Sequence, residues 1–206
     1  MRVAYVNTKG GVGKTTAAIY TATGFAGDGR TLLVDADPDA SAQSWAEGAA
    51  DAGEALAFTV VGLTRGLLAG VPRVQADGAY QHVVIDTPPG HGDRGITRAA
   101  LELADVGVIP ISPRMLDADR LRATVGLLAE VAEVNPKLAP FVLLNQVRPR
   151  TTMSRLVREF LEAREFPLLG QVGLREEYAT AFGHAVGAGE LGEWGPVVEV
   201  LLGEAA

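Results

Sequence analysis

Val3-Ala4-Tyr5-Val6-Asn7-Thr8-Lys9-Gly10-Gly11-Val12-Gly13-Lys14-Thr15-Thr16 is the stretch that decides how this chain folds. An apolar run of strand character enters a glycine-rich turn, and the segment that follows, Thr15 to Phe25, has the composition of a helix. Glycines let successive backbone N–H groups curl around phosphate oxygens, and the helix N-terminus adds the positive end of its dipole. Lys14 neutralises phosphate charge, and the hydroxyl of Thr15 is available to Mg2+. Lys9, Gly10, Gly11, Val12, Gly13, Lys14, Thr15 and Thr16 therefore form a candidate nucleotide-binding loop. In the common pattern a glycine stands where this chain has Thr8, and Lys9 adds a second lysine that needs its own explanation.

Outward from this loop, short β-branched runs alternate with longer amphipathic ones. Val3 to Val6, Thr31 to Val34, Phe58 to Val61, His82 to Ile85, Val106 to Ile111, Phe141 to Leu144 and Pro167 to Val172 read as strands buried on both faces. Thr15 to Phe25, Ser41 to Ala50, Leu63 to Val74, Ile96 to Ala104, Leu116 to Val134, Met153 to Ala163 and Leu174 to Val186 read as helices, with a last short helix after the glycine-rich 183–195 region. The alternation predicts an α/β fold, a mostly parallel sheet with helices on both faces, as one domain over 1–206. In such sheets ligands bind beyond the carboxyl ends of the strands, so residues at those ends carry the chemistry.

Three strand ends stand out. Val34-Asp35-Ala36-Asp37-Pro38 puts two carboxylates one residue apart, and one of them can reach a water near a γ-phosphate, while both Asp35 and Asp37 have the alternative of capping the next helix. Val83-Val84-Ile85-Asp86-Thr87-Pro88-Pro89 places Asp86 where phosphate-loop NTPases hold Mg2+, usually through water. Asn145, after Phe141 to Leu144, has the donor and acceptor that suit a purine edge, although such an amide can equally bridge backbone groups.

Composition narrows the possibilities. A chain of 206 residues that is 48% hydrophobic can bury one sizeable core. Its 18 basic and 25 acidic residues give a net charge of −7, so contact with a polyanion must be local. Having no cysteine excludes disulfides, thiolate metal sites, iron-sulfur clusters and a Cys nucleophile. No apolar run approaches the roughly 20 residues of a membrane helix, and Met1-Arg2-Val3 enters the first strand without room for a signal peptide, so a cytoplasmic protein is expected. His82, His91 and His184 show no ligand spacing; His91, in the loop after Asp86, is either a reporter of nucleotide state or an exposed loop residue.

The motifs together resemble the ParA/MinD family of deviant Walker A ATPases: Lys9 to Thr16, then Asp35 to Pro38, then Asp86 to Pro89, with Val108 to Pro113 and Asn145 to Thr151 continuing the likeness. The nearest likeness is to short ParA proteins of plasmid partition that lack an N-terminal helix-turn-helix domain. The resemblance implies a SIMIBI-like fold, ATP and Mg2+ as cofactors, and two ATP-bound subunits paired face to face with each Lys9 reaching the partner's nucleotide. Catalysis would then involve Lys9, Lys14 and Asp37, with Thr15 and Asp86 holding the metal and Asn145 contacting adenine. In the family Gln often follows Asp-x-Asp-Pro, whereas Asp39 stands here.

The resemblance also implies non-specific DNA binding, nucleoid association, and a ParB-like or other small DNA-binding partner carried on the cargo. Arg148, Arg150 and Arg175 are the candidate phosphate contacts. On the helix from Met153, residues Met153, Leu156, Val157, Phe160 and Leu161 are expected to face the core, with Arg155 paired to Glu159 and Arg158 to Glu162. Trp45 and Trp194 read as packing residues. The apolar C-terminus has Glu193, Glu199 and Glu204 around it and no Lys or Arg, which disfavours a membrane-binding helix. Partition of a plasmid or chromosome is thus the leading expectation. The alternatives are positioning of a protein cargo and an ATP-dependent metabolic ligase on the same scaffold.

Overall fold

The computed structural model describes residues 1–76, 78–90, 94–113 and 115–204, with backbone only for 115–120. Seven strands, β1 (Arg2–Tyr5), β2 (Thr31–Asp35), β3 (Thr59–Gly62), β4 (His82–Asp86), β5 (Val106–Ile111), β6 (Ala139–Val147) and β7 (Leu168–Gly173), form one sheet in the order β3-β2-β4-β1-β5-β6-β7. Each of these strand pairings is parallel. The helices are α1 (Lys14–Ala26), α2 (Ser41–Asp51), α3 (Leu67–Ala76), α4 (Arg94–Leu103), α5 (Met115–Ala132), α6 (Thr152–Glu162), α7 (Glu176–Thr180) and α8 (Trp194–Gly203).

Alternation along the strands divides the core in two. Ala4, Val6, Leu32, Val34, Val83 and Ile85 face α3, α4, α5 and α6, while Val3, Tyr5, Leu33 and Val84 face α1, α2, α7 and α8. The seven expected strands are present, and β2, β4 and β5 are buried throughout. Burial on both faces fails at β3, whose residues are exposed or half-buried because an edge strand has a neighbour on one side alone. Small residues let α1 lie close to its surroundings: a Cβ on Gly24 would meet Val198 of α8 at 2.6 Å. Trp45 and Trp194 are both core residues, at 2% and 0% exposure.

Two helix expectations need correction. The helix expected from Leu63 starts only at Leu67, after Gly66 has turned through a φ of 72°. The expected Leu174 to Val186 helix is instead the five-residue α7 followed by turns and a 3-10 turn at Ala188–Glu190. Tertiary contacts override helix propensity there. Gly183 has a φ of 79°, Trp45 Nε1 donates to the carbonyl of His184, and Glu54 accepts the N–H of Ala185, so this segment lies strapped across α2. A Cβ on Gly48 would meet the Cα of Gly183 at 2.8 Å, which shows how closely the strap and α2 approach.

Candidate nucleotide site

The loop between β1 and α1 crosses the carboxyl edge of the sheet beside the point where strand order reverses, since β1 lies between β4 and β5. Gly13, at φ 83°, ends the loop in a left-handed conformation, and a Cβ there would also collide with Asn145 Nδ2. Gly10, Gly11, Gly13, Lys14, Thr15 and Thr16 line a cleft of about 500 Å3, whose other walls include Asp37, Trp45, Pro89, Gln146 and Phe182. Among these, Lys14 is 7% exposed, and burial holds its pKa below the ordinary value against the pull of Asp86 and Asp37.

Asp86, at the end of β4, is fully buried. Neither of its oxygens reaches full hydrogen-bond geometry among the described residues, although the Thr15 hydroxyl lies near enough to act on the carboxylate. Burial pushes its pKa up to about 7, with repulsion from Asp35 and Asp37 adding to the rise and the Thr15 hydroxyl and Lys14 opposing it. A buried carboxylate with unsatisfied oxygens next to a threonine hydroxyl at a phosphate loop suits an oxygen-seeking Mg2+ that keeps its waters. Among the described residues no group of three or more His, Cys, Asp or Glu could hold a metal.

The two aspartates after β2 have different environments. Asp35 accepts the N–H groups of Asp37, Ala42 and Gln43, so it caps α2 and fixes the turn, although burial raises its pKa. Asp37 is 8% exposed, lines the cleft, and accepts the N–H of Asp39. Lys9 is half-buried and its N–H donates to Asn7 Oδ1, while Lys14 Nζ donates to the Lys9 carbonyl at 3.4 Å. Lys9 is not in the lining of the cleft.

Asn145 is 4% exposed and its amide is already engaged: Nδ2 donates to the carbonyl of Val12 and Oδ1 accepts the N–H of Gln146, both at 2.9 Å. In this arrangement it bridges backbone groups. A smaller recess of about 120 Å3 adjoins Gly13 and Thr16, walled by Asn145, Gly173, Leu174, Arg175 and Tyr178, and it places Asn145 beside the nucleotide cleft. Sequence reading missed Gln146, which donates to Gly11, and Thr87, whose buried hydroxyl donates to Tyr5. It also missed the aromatic pair Trp45 and Phe182, with ring centroids 5.4 Å apart at the side of the cleft. A signal for Phe182 was absent, because its approach depends on the strap.

The candidate basic residues lie in different settings. Arg148 and Arg150 are exposed, and Arg148 borders a groove of about 360 Å3 with Gln146, Met153 and Leu174. Arg175 is ion-paired with Glu193, and both side chains keep a third or more of their surface exposed. Arg155 approaches Glu159 at 3.9 Å, whereas Arg158 donates to Gln171 of β7. On α6 Val157 and Leu161 are buried, while Met153 and Leu156 are 38% and 41% exposed, so the apolar stripe is narrower than its sequence pattern. His91 lies outside the described residues. Among the described residues no helix is long and apolar enough to cross a membrane.

A phosphate loop on a parallel sheet, with a buried aspartate at the end of a neighbouring strand, defines a phosphate-loop nucleotide-binding protein. A sequence model of the CobQ/CobB/MinD/ParA nucleotide binding domain matches residues 3–186, and the chain belongs to that family. It is 30% identical over 194 residues to the maintenance of carboxysome distribution protein A of Halothiobacillus neapolitanus, covering 94% of this chain and 88% of that one. It is 34% identical over 193 residues to the chromosome-partitioning ATPase Soj of Thermus thermophilus, covering 79% and 76%. A structure described as a plasmid partition protein of Borrelia burgdorferi B31, bound to AMPPNP, superposes with a TM-score of 0.77 over 98% of each chain at 18% identity, a likeness of fold.

Proposed function

We propose that this chain is an ATPase that positions a protein assembly, pairing with a second copy when Mg-ATP is bound and holding DNA without sequence preference until a partner protein stimulates hydrolysis. Lys9 carries this proposal. It is a second lysine at the head of the phosphate loop, five residues before Lys14, whose Nζ donates to the Lys9 carbonyl, and that position supports a role toward a nucleotide on a facing subunit. Charge on the γ-phosphoryl oxygens redistributes in the transition state, and a cation delivered in trans stabilises it in the manner of an arginine finger.

Within one subunit, the loop N–H groups and Lys14 hold the phosphates, and Thr15 and Asp86 would hold Mg2+, which when bound neutralises charge on the β- and γ-oxygens. Asp37 orients the attacking water and accepts its proton as the oxygen bonds to the γ-phosphorus. The bond from that phosphorus to the β-γ bridging oxygen breaks, giving ADP and phosphate. Protein cargo is favoured by similarity to the carboxysome distribution protein over most of both chains. Partition of a plasmid or chromosome is the second reading, supported by the Soj relative. In the source organism, deletion should scatter or clump a protein assembly with plasmids and chromosomes inherited normally; plasmid or chromosome loss with assemblies in place would favour partition instead.

Hydrolysis provides the biochemical test. We expect Lys9→Ala to keep ADP binding within about threefold while DNA- and partner-stimulated turnover falls at least about 100-fold. Full turnover in that variant would overturn the role in trans. Turnover that rises with a small carboxylate, and ignores DNA, would point to a ligase.

A further inference from the structure

We propose that Gln146 is a positioning residue for nucleotide binding, setting the phosphate loop through a clamp that it forms with Asn145. Successive residues of a regular strand project to opposite faces, so two neighbours cannot both reach one loop. Here they do. Asn145 Nδ2 donates to the carbonyl of Val12, and Gln146 Nε2 donates to the carbonyl of Gly11, each at 2.9 Å. The backbone makes this possible by departing from strand geometry. Gln146 has a φ of 56°, in the left-handed region that a residue with a Cβ rarely adopts, and β6 shifts register against β7 between Leu144 and Val147. The Asn145 side chain supports the turn by accepting the N–H of Gln146.

In a planar trans peptide the C=O and N–H of one unit point to opposite sides. Holding the Gly11 carbonyl turns the N–H of Val12 away from Gln146, and holding the Val12 carbonyl turns the N–H of Gly13 away from Asn145. The clamp therefore fixes the directions of two N–H groups in the loop before any phosphate arrives. Gln146 also borders both the phosphate cleft and the groove that contains Arg148, so it joins the loop to the β6 exit. A role for the clamp in nucleotide binding rests on the ATP-binding reading above.

Gln146→Gly separates the side chain from the backbone, because glycine accepts the left-handed conformation without strain. We expect its nucleotide-free melting temperature to equal or exceed wild type. Dissociation constants for Mg-ADP and Mg-ATP should both rise by about tenfold, the loss of one fixed hydrogen bond at a phosphate site. Gln146→Glu keeps the shape but cannot donate, and should lose at least as much. Binding of ADP and ATP at wild-type strength by both variants would overturn the clamp. If wild type itself binds neither nucleotide, the ATP reading fails and takes the clamp with it, an outcome distinct from intact wild-type binding with unaffected variants.

Discussion

The N–H of Gly90 donates to the carbonyl of Thr8 at 2.8 Å, which ties the loop leaving Asp86 to the entrance of the phosphate loop. Gly90 holds a φ of 94°, and apart from its chain neighbours no atom of the described residues lies within 4 Å of a Cβ added there. The cost of Gly90→Ala is thus one of backbone alone. We expect a loss of about 1–2 kcal/mol in denaturant unfolding, from forcing an L-residue into that region. A neutral result would mean that the loop reaches the same bond with a negative φ.

Asp35 and Asp37 should separate stability from chemistry. Asp35→Ala leaves the N–H groups of Asp37, Ala42 and Gln43 without their acceptor and should cost about 2–4 kcal/mol. Asp37→Ala removes the acceptor for the Asp39 N–H and should change stability by less than about 1 kcal/mol while reducing hydrolysis at least about 100-fold. Chemical denaturation and steady-state turnover of the two variants check the contrast.

The pH dependence of Asp86 has a definite sign. Its folded pKa of about 7 lies above the ordinary value of 3.8, so between those limits the folded state binds more protons than the unfolded one. Stability of nucleotide-free protein should therefore fall as pH rises from about 4 to 7 and level off above it. Asp86→Asn removes that titration. We expect the variant to exceed wild type by a few kcal/mol, to order of magnitude, at pH 8 without Mg2+, and to lose the metal's effect on nucleotide binding. Thermal unfolding at pH 5 and 8 should show the gap widening with pH.

The DNA binding proposed above should depend on Arg148 and Arg150 more than on Arg175. Removing one arginine that neutralises a phosphate makes the slope of log affinity against log salt shallower by about 0.9, and a dimer forfeits two such pairs. Arg148→Ala and Arg150→Ala should each show this in fluorescence anisotropy. Arg175→Ala should leave the slope near wild type, because Glu193 already pairs that guanidinium.

What the sequence made legible follows from how local each feature is. The phosphate loop, the apolar central strands and the aspartates at the ends of β2 and β4 are contiguous motifs, and buried parallel strands read as uninterrupted apolar runs. The Asn145 and Gln146 clamp was not legible, since a left-handed glutamine leaves no compositional mark. Likewise, the partner of Arg175 is 18 residues away and known only from the fold. The strap after α7 shows the same limit: its shape is set by Trp45, Gly48 and Glu54, more than 100 residues earlier, whose contacts outweigh helix propensity.

Sedimentation velocity of the full chain with Mg-AMPPNP and with Mg-ADP tests the role of Lys9 most directly. Two subunits facing across their nucleotides predict a dimer with the triphosphate analogue, a monomer with ADP, and a weakened dimer in Lys9→Ala. Monomers under both nucleotides, at concentrations where binding is saturated, would contradict it.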